Sequence, residues 1–394
     1  MKYITKTVWL LSFISLFTDL ASEMLYPIMP AYLKSIGFSV LIIGILEGLA
    51  EAIAGLSKGY FGKLSDTTAR RVPFVQLGYL LSALSKPLMG AFVYPVWIFF
   101  ARTIDRLGKG IRTGARDAIL SDEATKETKG KVFGFHRSMD TLGAVIGPLF
   151  ALVYLYFNPG QYRILFFIAI IPGALSIIAS FMLKDKKGVQ PKSAKETSFF
   201  AFIHYWKTSP VIYRKVASGL LVFTLFNSSD LFLLMKVKES GLNDTEVIGI
   251  YIFYNLIFAL FAYPMGILAD KIGLKKVVVI GLILFSTVYF GMALSTDPFI
   301  YVILFFLYGL YAAATDGIGK AWITNITYKK DTATAIGTYA GFQSICAMLA
   351  SSLAGGIWYY FGFATAFMVT SSAVIGVVIY FLVGVKPSEH EPLD

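Results

Sequence analysis

Residues 62–71 read Gly62-Lys63-Leu64-Ser65-Asp66-Thr67-Thr68-Ala69-Arg70-Arg71, and the pattern returns as Gly266-Ile267-Leu268-Ala269-Asp270, ending in Lys275-Lys276. The two aspartates stand 204 residues apart. A second element, Asp105-Arg106-Leu107-Gly108-Lys109-Gly110, returns 211 residues later as Asp316-Gly317-Ile318-Gly319-Lys320-Ala321. Two repeats at nearly one offset, each at the same point of its half, imply two related bundles facing each other across a site at the bilayer midplane.

The segments around these elements are apolar blocks of about 20 residues, long enough to cross a hydrocarbon core of about 30 Å as helices. We read twelve spans, at 8–33, 40–61, 73–93, 95–120, 131–156, 162–183, 212–235, 246–268, 275–294, 298–323, 333–357 and 363–384. Lys2, Lys6 and the apolar run after them look like a signal peptide. They lack a small-residue cleavage site and many more spans follow, so the run is kept as the first span.

Composition agrees: 56% of residues are hydrophobic and 15% charged, against about 45–50% and about 25% in soluble domains. Soluble enzymes, nucleic-acid binders and disulfide scaffolds are poor fits, and the single cysteine, Cys346, permits no internal disulfide. The expected fold is an all-α polytopic membrane protein, twelve transmembrane helices in two pseudo-symmetric six-helix bundles. Its parts are a first bundle (1–183), a linker (184–211), a second bundle (212–384) and a polar tail (385–394). Outer segments hold only Lys34, Arg163, Lys236 and Lys238 among the basic residues. This asymmetry places both termini in the cytoplasm and the chain in the cell's inner membrane, and it explains most of the +11 net charge without nucleic acid. Within the linker, Phe199 to Trp206 is aromatic, and either lies in the interface plane or belongs to a disordered connection.

At these motifs the chain resembles the major facilitator superfamily along essentially its whole length. The Gly62–Arg71 segment is similar to the superfamily's signature loop between spans 2 and 3. The resemblance implies that Gly62, Asp66, Arg70 and Arg71, with Asp270 in the second half, form a cytoplasmic gate. The usual glycine between the acid and the basic pair is absent, Thr67-Thr68-Ala69 standing there. Span 4 resembles an R-x-x-x-G-x-G-x-G element, with Arg102, Gly108 and Gly110 in place and Arg106 at the first glycine. In span 5, Gly134, Gly143, Gly147 and Pro148 resemble the antiporter motif of drug–proton exporters, with Ala151-Leu152 at its final pair of glycines. Pro27-Ile28-Met29-Pro30 resembles another element of those exporters. Apart from any resemblance, small residues let helix backbones approach closely and Pro148 removes a donor, so tight packing alone also accounts for the span 5 pattern.

Ionisable residues inside the spans carry the most chemical information, because an unpaired charge at the bilayer centre costs about 2.5–3.5 kcal/mol on insertion scales. Arg102, Asp105, Arg106, Lys109, Arg112 and Arg116 follow one face of span 4. The last two, with Asp117, are read as solvated or snorkelling near the inner end. Arg102, Asp105 and Arg106 are deeper, and either line the transport path or bridge helices. Asp19 with Glu23, and Glu47 with Glu51, are pairs four residues apart, each on one helix face. A proton-coupling site needs a buried carboxylate with a cation that it releases or rebinds. Asp19, Glu23, Glu51 and Asp140 are the candidates, with Arg102 and Arg137 as their possible partners. Asp140 ranks first, between Gly134 and Gly143, and Glu23 second. Each alone is also readable as a permanently paired structural ion.

The second half is poorer in charge, with Asp230, Asp316 and Lys320 as its main ionisable residues. Its substrate-cavity candidates are Asn227, Tyr251, Tyr254, Asn255, Asp316, Lys320, Trp322 and Gln343, which points to mostly neutral recognition there. With three histidines, and His204 and His390 outside the spans, no metal site is expected. No cofactor is expected either, and ATP-binding and hydrolase motifs are missing. The reading is a monomeric secondary active transporter, not an enzyme, whose partners are a small-molecule substrate, protons and the lipid bilayer. The expected activity is proton-coupled efflux by alternating access; the alternative is a proton symporter or facilitator working inward.

Overall fold

A computed structural model describes residues 4–26, 28, 29, 32, 33, 36–38, 40–185, 201–242 and 244–385, with the backbone alone for 40–52, 201, 202, 244 and 245. All regular structure among them is helical. In chain order the helices are α1 (Lys6–Glu23), α2 (Val40–Thr68), α3 (Val72–Ala91), α4 (Pro95–Asp122), α5 (Lys129–Phe157), α6 (Tyr162–Ile168) and α7 (Ile170–Ser180). There follow α8 (Ala201–Thr208), α9 (Val211–Phe226), α10 (Leu231–Glu239), α11 (Asp244–Ile272), α12 (Leu274–Leu294), α13 (Pro298–Asn325) and α14 (Thr332–Gly384).

Local chemistry sets the ends and breaks. Pro95 and Pro298 open α4 and α13, where a missing amide leaves nothing unsatisfied. Asp297 accepts from the Phe299 amide at 2.8 Å, capping α13. α1 ends at Glu23, ten residues short of the predicted end of span 1. Within the same predicted span Met29, Tyr32 and Leu33 are again helical, Met29 and Tyr32 donating to the Leu25 and Ile28 carbonyls at 2.9 Å. Pro27 and Pro30 themselves lie outside the described residues. Spans 11 and 12 form the single element α14, broken at Gly362 (φ 84°). Span 7 is interrupted, Asn227–Asp230 separating α9 from α10.

Seven described helices or merged helix pairs are long and apolar enough to cross a membrane by length and composition. The charged face of α4 keeps it out of that set, although its 28 residues span about 42 Å. The outer surface is apolar: Ile171 and Ile178, seven residues apart on α7, are each 64% exposed, and Phe181 just after it is 70% exposed. Such a stripe belongs against lipid.

The described chain forms two compact units. One comprises Met1–Glu123, Met139–Thr208 and Lys329–Ser344; the other comprises Ala124–Ser138, Ser209–Tyr328 and Ile345–Asp394. The start of α5 thus packs with second-half helices, and the start of α14 packs with first-half helices. Within the first unit, Met24, Leu25, Ile28, Met29, Leu33, Leu165 and Phe166 belong to one buried apolar cluster. In the second, Phe285, Tyr289, Tyr301, Phe305 and Tyr308 are almost fully buried.

Candidate transport site

In the first unit, α1 crosses α5 at Gly143 and Gly147. A Cβ on Gly147 would lie 2.7 Å from both the Leu20 carbonyl and the Met24 nitrogen, and one on Gly143 would lie 2.9 Å from the Leu20 nitrogen. Only glycine permits this backbone approach. The approach brings Asp140 against α1, where the Ser15 hydroxyl donates to it and its carboxyl is hydrogen-bonded to that of Asp19. Glu23, one turn further along α1, and Lys109 of α4 lie within electrostatic reach of Asp19, and Arg116 within reach of Asp140. Asp140 is 4% exposed. The side chain of Glu51 lies outside the described residues.

The two arginines offered as cation partners each also meet an acid of another helix position. Arg102 sits 3.6 Å from Asp105, which Lys86 of α3 meets at 2.5 Å and Ser85 at 3.3 Å; Arg106 is within electrostatic reach of the same carboxylate. This group ties α3 to α4. Arg137 belongs to the second unit, its Nε 2.5 Å from Asp316 and its guanidinium 5.1 Å from the centre of the Phe258 ring. The solvated reading of Arg112, Arg116 and Asp117 is corrected: all three are buried. Arg112 lies over the Tyr79 ring at 4.6 Å and donates to Ser82, while Arg116 meets Asp117 at 2.8 Å. Inter-helix packing of α4 against α3 covers them, since Gly78 and Gly108 let the two backbones touch.

In the second unit, the broken span 7 presents Asp230 to a group of tyrosines. Tyr308 donates to Asp230 at 2.7 Å and Tyr254 is also hydrogen-bonded to it. Asn227 donates to the Tyr311 hydroxyl at 3.0 Å, and Ser228 and Tyr289 lie 3.4 Å apart. The rings of Tyr254 and Tyr308, and of Tyr308 and Tyr311, are 5.0 and 5.1 Å apart, centre to centre. Tyr251 is 6.2 Å from Tyr254. Asn255 is buried and donates to the Tyr251 carbonyl. Trp322 is 1% exposed with its ring 5.3 Å from Phe381, so it is packed away from this group. Lys320 and Gln343 are half-buried, Gln343 beside Ser344, which accepts from Lys58 at 2.9 Å. Asp230, Tyr289, Tyr308 and Tyr311 were not among the cavity candidates, although Asp230 stood out as one of the few ionisable residues of the second half. The polar run Asn227-Ser228-Ser229-Asp230 inside an apolar span is the signal that finds them.

The two loop aspartates perform the same task in each unit. Asp66 accepts from the Thr334 amide at 2.7 Å and its hydroxyl at 2.8 Å, at the start of α14. Asp270 accepts from the Gly130 and Lys131 amides at 2.7 and 2.9 Å, at the start of α5. Each carboxylate therefore satisfies the free amides of a helix N-terminus supplied by another segment. Beside each, helices touch through glycine: the site of a Gly62 Cβ is 3.2 Å from Gly337, and that of a Gly134 Cβ is 3.1 Å from Gly266. Arg71 reaches Asp66 at 3.3 Å and also pairs with Asp122, whereas Arg70 is exposed. Asp66 stands past the apolar part of α2; burial pushes its carboxyl up to about 6, against the lowering influence of Arg71 and the Thr334 bonds.

This twofold arrangement matches what comparison finds. The family model described as Major Facilitator Superfamily matches residues 11–254 and 237–394. The chain is a member of the major facilitator superfamily. It is a multi-pass membrane transporter of small molecules, not an enzyme. An uncharacterized MFS-type transporter of Methanocaldococcus jannaschii is 34% identical over 91% of this chain and 89% of its own length. The multi-drug resistance efflux pump PmrA homolog of Lactococcus lactis is 24% identical over 94% of this chain and 92% of that one. Among solved structures, the Escherichia coli fucose:proton symporter has a TM-score of 0.76 at 12% identity, covering 96% of this chain and 98% of that one. That likeness supports the fold.

Proposed function

We propose that this superfamily member exports a small organic solute in exchange for protons, by alternating access, with residues 1–183 rocking against 212–384. The observation that carries the reading is the Asp19–Asp140 carboxyl pair, buried where α1 crosses the glycines of α5. Two carboxyls in contact hold a proton that a change in helix spacing releases, because separated carboxyls each ionise independently. Glu23 and Lys109 stand close enough to stabilise either protonation state. The 24% identical efflux relative supports the outward direction. Asp66 and Asp270 act as cytoplasmic latches, whose four helix-capping hydrogen bonds break when that side opens. The protein works as a monomer in the inner membrane with both termini cytoplasmic.

The test is solute accumulation in energised everted vesicles, with and without the protein and with and without an uncoupler, read by untargeted mass spectrometry. Uncoupler-sensitive accumulation that Asp140→Asn abolishes, while solute exchange persists, is the expected result. Uphill transport unchanged in that variant rejects the pair as the coupling site. Equilibration indifferent to uncoupler identifies a facilitator instead.

A further inference from the structure

Asp230 is the one intramembrane acid of the second unit that, among the described residues, is held by hydroxyl groups without an ion pair. Its carboxyl takes hydrogen bonds from Tyr308 and Tyr254. Arg137 lies within electrostatic reach of Tyr254, but Asp316 engages its guanidinium at 2.5 Å. The acid sits at the interruption of span 7, where α9 stops at Phe226 and α10 begins at Leu231. A helix is broken inside a membrane only where its freed backbone is buried in protein or lines a cavity. Asp230 is half-buried, while Tyr254 and Tyr308, which donate to it, are 7% and 1% exposed. The tyrosines are fixed by packing, whereas Asp230 stands at the break in the span, where the backbone is not held by helical hydrogen bonds.

A carboxylate held by tyrosine hydroxyls, with no cation paired to it among the described residues, is complementary to one ligand class. An anion is repelled. A neutral solute leaves the acid's charge unbalanced in a low-dielectric site, whereas an organic cation neutralises it. We propose that Asp230, with Tyr254, Tyr308 and Tyr311, is a binding site for an organic ammonium ion, which makes the transported solute a cation. This rests on the transport reading above and names its substrate class. It replaces the neutral recognition expected of the second half. Tyrosine hydroxyls at 2.7 Å hold the carboxylate in place without neutralising it, so the site is preorganised for an incoming charge.

The experiment is calorimetric titration of the full chain in nanodiscs with benzyltrimethylammonium, its neutral carbon isostere neopentylbenzene, and phenylmethanesulfonate. Saturable binding of the ammonium alone is expected. Asp230→Asn, which preserves shape and the tyrosine hydrogen bonds, should weaken it about tenfold or more, and Tyr254→Leu by several-fold. A melting temperature within a few degrees of the parent protein establishes that each variant is folded. Equal affinity for the neutral isostere, preference for the sulfonate, or ammonium binding unchanged in Asp230→Asn each overturns the proposal. In that last outcome Asp230 is a proton carrier or a structural acid. Ammonium binding that survives in Asp140→Asn while uphill transport also survives refutes the coupling site and leaves this one standing. Uphill transport of an anion or neutral solute refutes this site and leaves the coupling reading standing.

Discussion

Replacing Gly143 by alanine tests whether the α1–α5 crossing positions the carboxyl pair. The added Cβ would sit 2.9 Å from the Leu20 nitrogen, closer still to the Leu16 carbonyl, and 3.2 Å from Asp19 Cβ. Two of these three neighbours are backbone atoms, so no rotamer change relieves the clash. Ordinary contact begins at 3.4 Å, so α1 must retreat by roughly 0.5–1 Å. Overpacking of this kind costs about 1–3 kcal/mol. Alanine's better helix propensity returns about 0.8–1 kcal/mol, leaving a net loss of about 0–2 kcal/mol. The same retreat lengthens the Ser15–Asp140 and Asp19–Asp140 contacts and so loosens the carboxyl pair. Gly249 is the internal control, for nothing lies within 4 Å of its Cβ position and alanine there should be neutral or slightly stabilising. Purified Gly143→Ala should melt a few degrees below Gly249→Ala and lose uphill transport while keeping exchange. Equal melting temperatures and equal uphill transport in the two variants would refute the positioning argument.

Ala69 has a φ of 53°, in the left-handed region, and its counterpart at the 204-residue offset is Gly273, with a φ of 101°. Ala69→Gly should therefore stabilise the loop by about 1 kcal/mol, visible as a higher melting temperature; no rise shows that the strain is absent. For Asp66, a carboxyl at about 6 when latched and near about 3.9 when exposed binds its proton more tightly in the latched form. Falling pH from 7 to 5 should thus favour latching, and the effect is lost as pH rises through 6. A Ser65→Cys reporter in a Cys346→Ser background should label more slowly at low pH, relative to free thiol, and Asp66→Asn should remove that dependence. Lys86→Met leaves Asp105, 8% exposed, without its closest cation and dependent on the more distant Arg102 at 3.6 Å, the longer-range Arg106 and the Ser85 hydroxyl. Removing one partner of a buried pair costs about 3–5 kcal/mol. A Lys86→Met protein that melts with the parent would show that the pair contributes nothing.

Helix identity, membrane embedding and the twofold repeat were legible in the chain because they depend on quantities local to each segment. Apolar length decides whether a helix crosses a bilayer, and the recurrence of Gly62–Asp66 as Gly266–Asp270 needs only the order of residues. The proximity of Asp140 to α1 was partly legible, since Gly143 and Gly147 mark a face that another backbone can approach. Which backbone it would be was not. The latch acids were visible, but their partners Thr334, Gly130 and Lys131 were not, because a helix N-terminus offers amides whatever its side chains are.

Charge pairing is where sequence and tertiary structure part. The number of acids and bases in the first half, and the one-sided face of α4, follow from residue order and helical period. Partner choice does not: residue order alone does not say that Arg137 meets Asp316 or that Arg102 meets Asp105. An ion pair forms over a few ångströms, and residues 137 and 316 are brought within that range only when α5 packs on α13. The tyrosines around Asp230 come from α11, α12 and α13, three helices whose sequences read separately as apolar spans with incidental aromatics. Hydropathy along the chain fixes that these helices exist, whereas only their packing turns four scattered tyrosines and one acid into a single polar group inside the membrane.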